Sequence, residues 1–216
     1  MSKRWLTDRK RDYYYRKAKQ LNYRSRAAFK LIQIDRRFHL FREGDTVIDL
    51  GAAPGGWLQV AKMAVGDAGR VVGVDLRSIQ PIDGVLTIKG DVRKPETLAL
   101  LLAEVGGRAD VVLSDMAPNI SGNYSMDHAR SVELVEIALD VAEKTLSPGG
   151  RMAAKVFQGD LLEDLLRHFR FRFERVRLHS PQASRPSSSE MYILAFGFMG
   201  GSEGTQSFNP ENRISV

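Results

Sequence analysis

Residues 24–41, RSRAAFKLIQIDRRFHLF, place Ala28, Leu31, Ile32 and Ile34 where they can supply much of one apolar helical face. The period then changes. DTVIDL is short, apolar and bounded by turn residues, which predicts a buried strand. A turn holding Gly51, Gly55 and Gly56 follows, and a helix runs from about Gly56 to Val65. RVVGVDL and GVLTIKG predict the second and third strands. PETLALLLAEV predicts a helix with Pro95 in its first turn, and ADVVLSD a fourth strand. Asp127 is expected to cap a long helix through HARSVELVEIALDVAEKTL, which SPGG ends. GRMAAKVF reads as a fifth strand, DLLEDLLRHFR as a helix, and FERVRLHS and EMYILAFGF as the sixth and seventh strands.

Alternating strands and helices imply an α/β fold, a mostly parallel sheet covered by helices on both faces. Only PQASRPSSS joins the last two strands, a connection that suits a final strand inserted antiparallel. The expected organisation is a basic N-terminal extension and helix over residues 1–42, a single catalytic-type domain over 43–198, and a polar, aperiodic tail over 199–216.

The chain of 216 residues is 43% hydrophobic and 27% charged, the balance of a globular protein with one sizeable core. It has no cysteine, which excludes disulfides and thiol chemistry. His39, His128, His168 and His179 show no metal-ligand spacing, so no metal is expected. No apolar run reaches membrane-spanning length, and MSKRWLTDRKRDYYYRK lacks an apolar leader core. A cytoplasmic protein without a membrane partner, and a monomer, is the expectation.

The net charge of +6 is unevenly spread. Residues 1–42 hold 14 Lys or Arg against three Asp, leaving the other 174 residues net acidic. Tyr13, Tyr14, Tyr15 and Tyr23 fall in the basic end. Cationic groups neutralise phosphates and interleaved rings stack on bases or ribose, so this end suits a nucleic acid. A merely solvated arm is the alternative.

The glycine turn narrows the ligand. A nucleoside-triphosphate loop needs Lys then Ser or Thr after its glycines, where this chain has Trp57 and Leu58. The dinucleotide fingerprint needs a second glycine, for close approach of a pyrophosphate, where this chain has Ala53. Asp75 ends the second strand, where it can accept hydrogen bonds from a ribose diol. Asp91 follows the third, within reach of an adenine amino group. An adenosine without a phosphate tail, such as S-adenosylmethionine, fits that pocket. The competing reading makes Asp75 and Asp91 merely loop acids that cap neighbouring helices.

Four ionisable residues are expected at the same edge. Asp115 ends strand four, Lys155 ends strand five, Glu190 begins an antiparallel strand seven, and Lys30 comes from the basic helix. A lysine late in an apolar strand needs acidic companions, and Asp115 and Glu190 are the candidates. Methyl transfer needs an aligned oxygen and the management of one proton. Lys155 could take that proton from a ribose hydroxyl, or act as a cation that positions it. Asp115 and Glu190 could orient the amine, and Lys30 could hold the substrate oxygen. The alternative is an ion-pair network that only joins strands.

The segments SRAAFKL, VIDLGAAPGGW, DVVLSDMAPNISG, AAKVFQG and SSSEMYILA, in this order, resemble the FtsJ-like family of ribose 2′-O-methyltransferases, in particular those acting on large-subunit ribosomal RNA. The resemblance runs from about residue 4 to residue 197. It implies a Rossmann-like S-adenosylmethionine-dependent methyltransferase fold of seven strands. It implies a catalytic tetrad of Lys30, Asp115, Lys155 and Glu190, with Lys155 accepting the proton. It implies donor contacts from Gly55, Trp57, Asp75, Asp91 and Asp115. The implied substrate is a uridine ribose in 23S-type RNA of the assembled large ribosomal subunit. Transfer RNA methylation, a non-catalytic RNA-binding protein and a dinucleotide oxidoreductase are the competing expectations.

Overall fold

The computed structural model describes residues 13–185 and 188–200; residues 1–12 of the basic extension and 201–216 of the tail lie outside the described residues. In chain order the elements are α1 (Tyr13–Gln20), α2 (Ala28–Phe38), β1 (Thr46–Leu50), α3 (Gly56–Val65), β2 (Arg70–Asp75), β3 (Val85–Lys89) and α4 (Pro95–Val105). Then come β4 (Ala109–Ser114), α5 (Tyr124–Thr145), β5 (Leu146–Phe157), α6 (Leu162–Arg170), β6 (Phe173–His179) and β7 (Glu190–Phe198).

One seven-stranded sheet runs in the order β3-β2-β1-β4-β5-β7-β6. β1 to β5 pair in parallel, and β7 lies antiparallel between β5 and β6, as the short β6–β7 connection requires. The central strands are apolar at nearly every position because both faces are covered. Ile48, Leu50, Val72, Val74, Val112 and Ala154 pack with Leu101 of α4, Leu139 of α5 and Phe169 of α6. The alternate positions Val47, Val71, Val111, Leu113 and Leu194 pack on the opposite face with Leu31 and Ile34 of α2 and Leu58 of α3. α2 therefore shares the catalytic body's core although its solvent side is basic.

Two local expectations need correction. Asp127 does not cap α5. The helix begins four residues before His128, with Asn123 as N-cap; the Asn123 side chain accepts from the backbone N–H of Met126. The Asp127 carboxylate instead accepts from the backbone N–H groups of Ser121 and Gly122 and from the Ser121 hydroxyl. Those bonds hold it below the ordinary carboxylate range, and they fix the turn ahead of the helix. SPGG ends α5 but also lies within β5, as a bulge. Ala109 pairs with Leu146 and Val111 with Arg151, so the residues between them leave the ladder.

Candidate active site

The parallel strands end at a cavity of about 480 Å³, lined by Gly51, Ala53, Asp75, Asp91, Asp115 and Met116, with Val92, Leu134 and Ile137 on its apolar side. Gly51 has φ +74°, and a Cβ there would sit 2.6 Å from Met116 Cγ, so a side chain would crowd the cavity wall. Asp75 fastens the glycine turn to the end of β2. Its Oδ2 accepts from the Ala53 N–H at 2.9 Å and its Oδ1 from the Arg77 N–H at 2.8 Å. Asp91 is gripped by Arg93, whose Nε donates at 2.9 Å and whose NH2 group donates at 2.6 Å. Those side-chain bonds, then the Arg93 backbone N–H, hold the Asp91 carboxyl down to about 2. Arg93 is largely exposed, whereas Asp91 is mostly covered. Neither acid caps a helix, since Gly55 is the N-cap of α3 and Lys94 that of α4; both carboxylates accept from loop N–H groups and line the cavity.

Gly55 and Trp57 sit differently. Neither is among the residues lining the cavity. Gly55 is the N-cap of α3 at φ +106°, against Arg24 and Ile82. The Trp57 indole N–H donates to the Ala27 carbonyl at 2.8 Å, and its ring lies 5.7 Å from that of Tyr192. The Gly55 N–H is taken by the Ala52 carbonyl at 2.7 Å, so what this segment can offer a ligand is the N–H groups of the first residues of α3, which have no intrahelical partner.

The four ionisable residues are brought together as two ion pairs. Lys155 Nζ lies 2.9 Å from Asp115 Oδ1 and donates to the Asp115 carbonyl at 2.6 Å. Lys30 Nζ lies 2.6 Å from Glu190 Oε1. Tyr192 joins the pairs. Its hydroxyl is 2.9 Å from Asp115 Oδ1 and 3.3 Å from Glu190 Oε1, and its single proton serves one acid at a time. Burial first, and then the two acids, raise this phenol well above its ordinary range, so it stays neutral and donates. Ser184 also donates to Glu190, at 3.0 Å. Tyr192 lies inside SSSEMYILA but carries no candidate role in the sequence, yet a period of two places it on the same face of β7 as Glu190. It also pairs in register with Lys155.

Asp49, inside VIDLGAAPGGW, likewise carries no candidate role in the sequence. It is fully buried on β1, and neither carboxylate oxygen has a hydrogen-bond partner among the described residues. Burial first, then Asp115 and Asp75, push it well above the ordinary carboxylate range. Below about pH 4 this acid is protonated in both the folded and unfolded chain. As pH rises, the unfolded chain ionises and the buried acid does not, so the fold loses stability until the raised value is passed. The Asp49→Asn protein should escape that loss. Its stability relative to wild type should climb from pH 4 toward neutrality, by at most about 1.4 kcal/mol per pH unit, and its melting temperature relative to wild type should rise with it. A pH-independent difference in thermal scans would show Asp49 to be ionised in the fold.

Residues 23–198 match the family model described as FtsJ-like methyltransferase. The chain belongs to this family. It is 53% identical over 191 residues to the ribosomal RNA large subunit methyltransferase E of Methanocella arvoryzae, covering 88% of this chain and 74% of the relative. The corresponding protein of Halorubrum lacusprofundi is 55% identical over 190 residues, 87% of this chain and 71% of its own. Among solved structures, a Plasmodium falciparum chain described as a ribosomal RNA methyltransferase superposes with a TM-score of 0.75 at 28% identity. The match covers 82% of this chain and 100% of that one. As an FtsJ-like methyltransferase, the protein carries its Lys155–Asp115 pair beside this cavity, with Asp115 among the lining residues. Among the described residues no cluster of His, Cys, Asp or Glu could hold a metal, and no helix is long and apolar enough to cross a membrane.

Proposed function

We propose that this FtsJ-like methyltransferase uses S-adenosylmethionine to methylate a ribose 2′-hydroxyl, that of a uridine in large-subunit ribosomal RNA within the assembled subunit. The observation that carries the chemistry is the Asp115–Lys155 pair, joined through Tyr192 to Lys30–Glu190 beside the cavity. The cavity suits the donor: Asp75 can accept from a ribose diol, Asp91 can accept from an adenine amino group once Arg93 moves aside, and the start of α3 offers amides to a carboxylate. When bound, the donor supplies an electrophilic methyl group on a sulfonium, and its transfer to a hydroxyl oxygen releases one proton.

The chain's part is alignment and proton management. Two of the contacts at Lys155 Nζ go to Asp115, which fixes the amine's direction and leaves it able to meet one substrate oxygen. In this scheme Lys155 receives the released proton as the neutral amine, with its two N–H groups held by Asp115 and its lone pair toward the substrate oxygen, and ends as the ammonium paired with Asp115. Lys30, held by Glu190, holds the substrate oxygen from the other side. The ribosomal target rests on the names of the relatives and on the charge of residues 1–42, whose Lys and Arg grip phosphate without reading sequence.

The test offers radiolabelled donor with unmodified large subunits, free ribosomal RNA and transfer RNA in parallel. Ribose-linked label on the large subunit, weakened by salt far more than donor binding is, is the expected result. Label confined to transfer RNA would keep the chemistry and sink the target.

A further inference from the structure

Beside the Asp115–Asn123 loop lies a second hollow of about 300 Å³, which shares no lining residue with the donor cavity. Ile120, Tyr124 and Phe157 give it apolar walls, and Gly122, Ser188 and Ser189 supply the rest of its lining with Asp127. Ile120 is 66% exposed and Tyr124 58% exposed, unusual for large apolar groups beside a buried charge network. The Tyr124 ring is held in place rather than loose. Its hydroxyl donates to the Gln158 carbonyl, and Gln158 N–H in turn donates to Ser189 O at 2.9 Å. Asp127 braces the Ser121–Gly122 turn beneath.

The hollow is in step with the ion pairs. In the β5–β7 ladder Lys155 pairs with Tyr192 and Phe157 with Glu190. Phe157 therefore lies two residues beyond Lys155 on the same strand face, a step of about 7 Å. A nucleotide with its ribose hydroxyl at Lys155 has its base at about this remove.

Given the ribose-methylation reading, on which this rests, we infer that the hollow receives the unstacked base of the methylated nucleotide, with the Tyr124 ring as its stacking platform. Chemistry on one nucleotide of a structured RNA requires that nucleotide to be drawn out of its stack, and a fixed aromatic ring compensates for the lost stacking. Ser188 and Ser189 give the hollow hydroxyl groups that can meet a base edge, while Ile120 excludes water from its face. The loop between the two cavities then separates donor from acceptor base, with Asp115 at its root.

Tyr124→Ala should lower kcat/KM for large-subunit RNA by about tenfold to a hundredfold, with donor affinity and melting temperature unchanged. Tyr124→Phe, which keeps the ring and loses the tether to Gln158, should fall only a few-fold, well short of the loss in Tyr124→Ala. RNA carrying 5-iodouridine, irradiated with the full-length protein, should crosslink at Tyr124. Unchanged kcat/KM in Tyr124→Ala, a Phe variant as poor as the Ala one, or crosslinks that avoid Tyr124 would each overturn the assignment while wild-type ribose methylation stands. A wild-type protein that methylates no RNA would instead remove the reading beneath it, and this occupant with it.

Discussion

Lys155→Met should lower methyl transfer by about 10²–10⁴-fold while donor affinity changes little. Methionine approximates the length of the lysine stem and removes only the amine. Lys155 is 7% exposed, and its amine bonds to Asp115 rather than lining the donor cavity, so the cavity should survive the change. Asp115 keeps the Tyr192 hydroxyl as a donor after the amine is gone, which limits the cost of leaving it behind. A loss of less than tenfold would take Lys155 out of the chemistry. Lys155→Arg separates the two roles still open for the amine. Guanidinium stays charged and accepts no proton, so an active Arg variant would mark Lys155 as a positioning cation. An Arg variant as poor as Met, still binding donor, would mark it as the proton acceptor.

Much of this site is legible in the amino-acid sequence, because parallel strands deliver their carboxyl-end residues to one edge. Asp75, Asp91, Asp115 and Lys155 follow apolar runs too clear to misplace, and the lack of a helix before β7 predicts its reversed direction. The misplaced pieces share a cause: local pattern does not say which of several polar groups the tertiary structure will employ. SGNYSMDH holds two good caps, and hydrogen bonding to the preceding turn engages Asp127 and leaves the helix start to Asn123. Gly55 and Trp57 sit in the same motif as Gly51, yet Gly55 lies against Arg24 and Ile82 and the Trp57 indole donates to the Ala27 carbonyl, contacts that the motif itself does not announce. Arg93 on Asp91 is a matter of side-chain direction, which sequence spacing does not encode. Tyr192 is within reach of a period-of-two argument. Asp49 is not, since an acid inside VIDL resembles any strand residue until both faces are seen to be covered.

Arg151→Ala should destabilise the fold by about 3–5 kcal/mol, a fall of roughly 6–20 °C in melting temperature, and leave methyl transfer by the folded fraction near the wild-type rate. Arg151 opens the regular part of β5, four residues before Lys155 and therefore toward the opposite edge of the sheet. Its NH2 group donates to Asp45 Oδ1 at 2.8 Å and its NH1 group to the Leu40 carbonyl at 2.8 Å, with both side chains of the pair almost fully buried. The pair clamps the segment after α2, and hence the helix that carries Lys30, onto the strand that carries Lys155. Removing the arginine strands a buried carboxylate that keeps only the Arg42 N–H, and the lost compensation sets the size of the effect. Replacing both partners with apolar residues, Asp45→Leu with Arg151→Met, should recover most of that stability, because no buried charge is left alone. A double variant as unstable as Arg151→Ala would mean that the bond to Leu40, and not the charge pair, holds the two elements together.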